Sequence, residues 1–384
     1  MSELMNTTCR SAHWQLLATV SSLALITSIG VEASYASDGM QDPTVWIELG
    51  GQLERVDGGQ DAFLPPFTRL SPTPDPYSPI SPAEAQKPAI NGYGIEGEIS
   101  FSPKGTDWIF SAAVRYGRSN NKKRLHQQSA VQTIEHFPGG PIITATQLTI
   151  TAQQFADYQT RNEESHTVLD FAAGRDVGLG LLSRYSKSQF SAGIRIAEFS
   201  TRSQARIIAR PGVDFHDVTF GKYHFAVPSH NDYIASAQTD RGFRGVGPSI
   251  SWDASIPVLG NPDAGSINFD WGINAAVLFG RQKASGSHST DARHYDEKYY
   301  QTVPPYGAIP LYHHSGSHNR SRSVVVPNIG GFAGVSFRYP NAKVSFGYRA
   351  DFFLGAMDTG IDVRHTVDRN FYGPFATISI GLGG

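Results

Sequence analysis

The chain has 384 residues, only 17% of them charged, with 39 glycines, 22 phenylalanines and 16 tyrosines. Glycine and aromatic richness at low charge suits many strands and turns, and argues against a helical or a disordered protein. A net charge of −2 gives no basic footprint for nucleic acid, and beyond the first forty residues no run of about eighteen apolar residues offers a membrane-spanning helix.

The chain opens with Arg10, a mostly apolar run over Leu16–Val31 and small residues around Ser34-Tyr35-Ala36. That order is the one a secretory leader needs, with cleavage expected after Ala36. It divides the sequence into a leader over 1–36 and a mature domain over 37–384. A membrane-anchor helix is the alternative, but the apolar run is too short for it and is broken by serines. Cys9, the single cysteine, precedes the apolar core, where a lipoprotein signal would need it to follow. The mature part is therefore expected without cysteine and without disulfides.

From there one pattern returns about ten times. Successive side chains of a strand point to opposite faces, so a half-greasy strand alternates apolar and polar residues. Val45–Leu53 sets Val45, Ile47, Leu49 and Leu53 against Trp46, Glu48 and Gln52. Tyr93–Phe101 sets Tyr93, Ile95, Ile99 and Phe101 against Glu96, Glu98 and Ser100. Trp108–Tyr116 opposes its apolar face to Ser111 and Arg115. Leu169–Asp176 and Phe190–Ala197 repeat the pattern more weakly. Val246–Ile256 opposes Val246, Ile250 and Trp252 to Ser249, Ser251 and Asp253. Ser266–Gly280, SINFDWGINAAVLFG, is the clearest: Ile267, Phe269, Trp271, Ile273, Ala275, Val277 and Phe279 all fall on one face, and the other face turns apolar only at its end. Val325–Phe337, Ala342–Leu354 and Ala376–Leu382 complete the set.

The connections alternate in length. Pro103-Lys104-Gly105-Thr106, Gly260-Asn261-Pro262-Asp263 and Tyr339-Pro340-Asn341 are tight turns, and Gly178–Lys187 is a little longer. Between these hairpins lie long polar connections expected over 57–91, 119–165, 201–240 and 284–322, and a shorter one over 358–369. Segments 130–151 and 206–227 have strand character and suit extracellular extensions or a further hairpin. Short turns on one side and long loops on the other describe an all-β, transmembrane, antiparallel up-and-down barrel of the bacterial outer membrane. About ten strands are expected, within a range of eight to twelve, with the last strand pairing with the first. Aromatic residues near strand ends, such as Tyr93, Phe101, Trp108, Tyr116, Phe337 and Phe346, suit girdles at the two interfaces.

Three segments together resemble the pore-forming outer-membrane barrels related to the Legionella major outer membrane protein. They are Phe243–Asp253 (FRGVGPSISWD) with its Gly-x-Gly-Pro strand entry, Ala275–Gly280 (AAVLFG), and Phe346–Thr359 (FGYRADFFLGAMDT) followed by Gly373-Pro374-Phe375. The resemblance covers mainly the second half of the mature chain. It implies an outer-membrane barrel with pore activity and no catalytic residues.

The alternation assigns an inward, pore-lining set: Glu48, Glu96, Glu98, Arg115, Asp170, Arg195, Asp253, Asp270, Arg338, Arg349 and Asp351, with Glu54 beside them. Charges held out of bulk water need partners, so ion pairs filling a narrow barrel are one reading. A narrow pore whose acidic excess favours cations is the other. Barrels of about eight strands are filled by side chains, and 16–18 strands leave a water channel, so ten strands allow at most narrow conductance. The alternative function is a structural or adhesive surface barrel whose loops bind a partner. The histidines of 284–322 (His288, His294, His313, His314, His318) are expected as solvated loop residues with no rigid strand to place them. No enzyme activity, cofactor or metal site is expected. The partners expected are outer-membrane lipid, the barrel assembly machinery and small ions or solutes, with oligomerisation left open.

Overall fold

A computed structural model describes residues 44–58, 91–136, 147–177, 187–210, 212–220, 223–261, 265–295, 308–360 and 364–383. The expected leader, most of the proline-rich stretch 57–91 and residues 296–307 lie outside the described residues. Among the described residues there are eleven strands: β1 (Val45–Asp57), β2 (Asn91–Phe101), β3 (Trp108–His136), β4 (Gln147–Asp176), β5 (Lys187–Arg210), β6 (Val213–Phe220), β7 (Tyr223–Asn261), β8 (Gly265–Tyr295), β9 (Ala308–Tyr339), β10 (Ala342–Asp358) and β11 (Thr366–Leu382). Ten of them run round a closed ring in the order β1-β2-β3-β4-β5-β7-β8-β9-β10-β11, every pairing antiparallel. The ring closes twice over: β1 pairs with β11 from Val45↔Leu382 to Asp57↔Asn370, and β5 pairs with β7 from Lys187↔Ser255 to Ala209↔Tyr233. β6 stands outside the ring as a hairpin partner of the first part of β7. All ten expected strands lie inside observed ones, and the expected closure of last strand on first is present.

The expected loops are largely strand. Residues 119–136 and 147–165 continue β3 and β4 in unbroken register from Ser119↔Glu164 to His136↔Gln147. Most of 201–240 belongs to β5, β6 and β7, and 284–295 and 308–322 extend β8 and β9. Segments 130–151 and 206–227, expected to have strand character, fall in these extensions wherever they are described; the remainder alternates too weakly to read as strand because polar residues occupy both faces. What carries them is the ladder already set by the barrel wall below, which each further residue prolongs by one backbone hydrogen-bonded step.

Below these extensions runs an outward band of apolar side chains. On β8, Phe269, Ile273, Val277 and Phe279 point outward and stay 41–57% exposed. Neighbouring strands add Val246, Ile250, Val325, Ile329, Phe346 and Phe352. From Phe269 to Phe279 the band measures about 33 Å along the strand at about 3.3 Å per residue. At a tilt of about 45° that is roughly 23 Å of height, close to the apolar band of a membrane barrel. An apolar belt of this size round a whole molecule belongs against lipid rather than water.

Candidate functional site

The alternation that turns one face to lipid turns the other into the lumen, and the lumen is layered. At the short-turn mouth Arg338 points inward with its guanidinium 5.8 Å from the Trp46 ring. Above it Asp270 accepts from Lys343 Nζ at 2.8 Å and from Ser255 Oγ at 2.6 Å. Arg338 and Asp270 are thus inward as expected but outside the central group, and Lys343, the second residue of β10, shares the inward phase of Ser345 and Arg349 although it was not among the expected lumen residues.

The next layer is a cavity of about 170 Å³ that gathers Glu48, Glu96, Glu98, Arg115, Asp170, Arg195, Asp253 and Arg349 from β1, β2, β3, β4, β5, β7 and β10. Eight of the eleven expected lumen residues therefore line one chamber. Five carboxylates face three guanidinium groups there. The arginines reach across the barrel. Arg115 on β3 bonds Asp351 on β10 and lies 3.7 Å from Asp170. Arg195 clasps Asp170 in a two-pronged pair at 2.6 and 3.0 Å and also donates to Asn274 at 2.7 Å and to Asn328. Arg349 bonds Glu96 and lies 4.7 Å from the Phe375 ring. Forked guanidinium–carboxylate pairing of this kind fixes geometry as well as charge. On the acidic side Glu48 and Glu98 stand directly opposite each other on β1 and β2, with Ser379 donating to Glu48 at 2.6 Å.

Over this chamber lies an apolar layer that the sequence reading did not foresee. Val56, Val168, Ala197, Phe199, Phe243, Ala276, Leu278, Val326, Phe353, Met357 and Phe371 form one buried cluster fed by eight of the ten ring strands. β5 and β11 are five places apart round the ring in either direction, the full diameter. Yet the rings of Phe199 on β5 and Phe371 on β11 have centroids 5.4 Å apart, and Phe353 on β10 meets Phe199 edge-on at 4.7 Å. The glycines of the sequence motif make room for this layer: a side chain at Gly245 or Gly280 would strike the Phe243 ring. A buried ion-pair tier adjoins it, with Glu164 on Arg369 and Glu54 3.3 Å from His166, whose ring lies 3.8 Å from that of Phe371. The signal that could have revealed the layer is the doubling of apolar residues at strand centres, as in Phe352-Phe353-Leu354 and Ala276-Val277-Leu278.

Beyond the layer the extended strands enclose a vestibule with its own small core: Ala156, Tyr158, Ile207, Ala209, Tyr233, Ala235 and Ala292. Burial pushes the Tyr158 hydroxyl up to about 12. The histidines expected in a loop stand on β8 and β9 instead. His288, His314 and His318 share the inward face, their rings stacked at 5.1 and 6.3 Å, and His313 pairs with Asp291 at 2.7 Å. The placing force is again the strand ladder, which a polar sequence does not announce. Among the described residues no three of His, Cys, Asp and Glu converge as a metal would require. At the outer tips His126, 2.6 Å from Asp157, has its pKa raised, chiefly by that hydrogen bond, and His230 has its pKa lowered by burial and then by the Arg210 charge, against the pull of Asp232.

No protein-family description and no curated protein matches this chain. Among solved structures it is similar to the outer membrane protease OmpT from Escherichia coli, at 11% identity and a TM-score of 0.39, over 90% of this chain and 100% of that one. It is also similar to the transport unit of the autotransporter AIDA-I from Escherichia coli (7% identity, TM-score 0.22, 94% and 97% covered). The TodX monoaromatic hydrocarbon channel is a third (7% identity, TM-score 0.22, 89% and 91% covered). These are likenesses of fold, and no activity is carried over from them to this chain.

Proposed function

We propose that this chain is a bacterial outer-membrane barrel whose lumen is closed at rest, acting without catalysis as a structural or adhesive surface protein through its outward-reaching strands. The observation that carries this reading is the contact of Phe199 with Phe371 across the full width of the barrel. The cross-lumen arginine pairs beneath it add a second closure. The test is conductance of the refolded mature chain, from about Ser37 onward, in a planar bilayer. A folded barrel that inserts and stays silent is the expected outcome, and discrete steps from the unaltered protein would overturn it.

A second reading keeps the narrow cation-favouring pore, with the phenylalanine layer as its gate, and with it the kinship to the Legionella major outer membrane protein. The surplus of carboxylates in the central chamber favours it. On that reading Phe199→Ala combined with Phe371→Ala produces conductance steps, and Glu98→Gln in the same background lowers their cation preference.

A further inference from the structure

The outward face holds an electrostatic arrangement that the isolated protein has no reason to keep. Directly above the cross-strand apolar pair Val246↔Phe279, the register places Arg244 of β7 opposite Arg281 of β8, with Lys283 two residues further along β8. All three side chains are exposed. Like charges facing each other across two strands destabilise a sheet. Arg281 donates from Nε to Ser321 Oγ at 2.6 Å, a neutral partner that leaves its charge uncompensated. Among the described residues Arg244 and Lys283 form no ion pair, and Glu198, opposite Arg244 on β5, is the nearest carboxylate in the register. Three cations against one anion therefore sit just beyond Val246, the last apolar residue of the band on β7: Arg244 and Arg281 about 7 Å along the strand and Lys283 about 13 Å.

That height is where the headgroups of the outer leaflet lie if the apolar band spans the membrane. We infer that Arg244, Arg281 and Lys283 form a clamp for the phosphate groups of a phosphorylated glycolipid in that leaflet. A phosphate between the two guanidinium forks turns their repulsion into two charge-assisted hydrogen-bonded contacts, and Lys283 adds a point charge beside them. Basic clusters at headgroup level bind anionic lipid for the same reason. The hydroxyls of Ser321 and Ser323, on the β9 flank of Arg281 and Lys283, supply neutral donors at the same level.

The inference rests on the outer-membrane reading, and one experiment separates the two. The mature chain is refolded in uncharged detergent micelles and its unfolding midpoint followed by heat-modified gel mobility. A bisphosphorylated glycolipid, the same lipid stripped of phosphate, and inorganic phosphate are added in parallel. The phosphorylated lipid alone is expected to raise the midpoint. Arg244→Gln with Arg281→Gln is expected to need about tenfold more lipid for the same rise. Lys122→Gln with Arg206→Gln, which removes the same charge from exposed sites higher on β3 and β5, is expected to respond like the unaltered protein. Equal responses from both double variants, or from the stripped lipid, would overturn the clamp. An equal rise with inorganic phosphate would overturn the lipid as its source. A chain that never forms a heat-modifiable barrel would overturn the membrane reading itself, whereas a folded barrel indifferent to all three additives would remove the clamp alone.

Discussion

At the scale of single residues, the lumen depends on charges that are paired across it rather than along one strand. Asp351 is 4% exposed and bonds Arg115 from the opposite side of the chamber. Removing one partner of a buried pair leaves the other charge uncompensated, which costs about 3–5 kcal/mol. Asp351→Asn is therefore expected to lower stability by about 3 kcal/mol, read as a reduced urea midpoint in micelles with an unchanged slope. Trimming an exposed ion pair such as Arg175–Asp107 (2.9 Å) should leave the midpoint in place. The inward set was legible because a charged residue at every second position cannot face lipid. Its partners were not legible, since Asn274, Asn328 and Lys343 become visible only when register brings distant strands together. The same limit hid Phe199, Phe353 and Phe371. Each reads locally as one more apolar residue, and only ring closure makes their rings meet.

Among elements, the contrast is between strand segments inside the apolar band and their continuations beyond it. Within the band, one face must be apolar and the other polar, so all ten wall strands could be read from alternation. Beyond it both faces meet water or the vestibule, the period fades, and apart from the strand character of 130–151 and 206–227 the sequence reads as loop, although β3 and β4 stay paired to His136↔Gln147. Polar strand tips of this kind are held by neighbours and titrate with them. His230, stacked on Tyr295 with centroids 5.0 Å apart, faces Arg210, Asp232 and His294. Its pKa is lowered on folding, so the folded tip binds fewer protons than the opened one, and protection is lost as pH falls below about 6.5. His126 has the opposite sign: its pKa is raised by Asp157, so its contribution is present below about 6.5 and fades as pH rises through the folded value. Amide exchange at pH 7.5 and 5.5 is therefore expected to show the β7–β8 tip losing protection on acidification while the β3–β4 tip does not, and His230→Gln should remove the first effect.

For the whole molecule, the layers imply a barrel whose stability sits low and whose outer extensions are separable from it. The arginine network and the phenylalanine layer draw on residues below the level of the β3–β4 tip. Replacing residues 122–161 by a short turn at the Asn121↔Asn162 pair removes Ala156 and Tyr158 from the vestibule core. The shortened chain is expected to remain a heat-modifiable barrel, and failure to fold would show that the extension is part of one cooperative unit. The pairing of β1 with β11 has a different consequence, one of timing. Ser379 and Glu48, joined across that seam, are 331 residues apart along the chain. Contacts so distant in sequence form late and slowly, and the first strand has no permanent neighbour on one side until the final one has been made. Until then that side of β1 is an open strand edge. Any truncation inside Thr366–Leu382 would leave that edge bare for good, so that losing its last seventeen strand residues costs this protein its closure and not merely one stave.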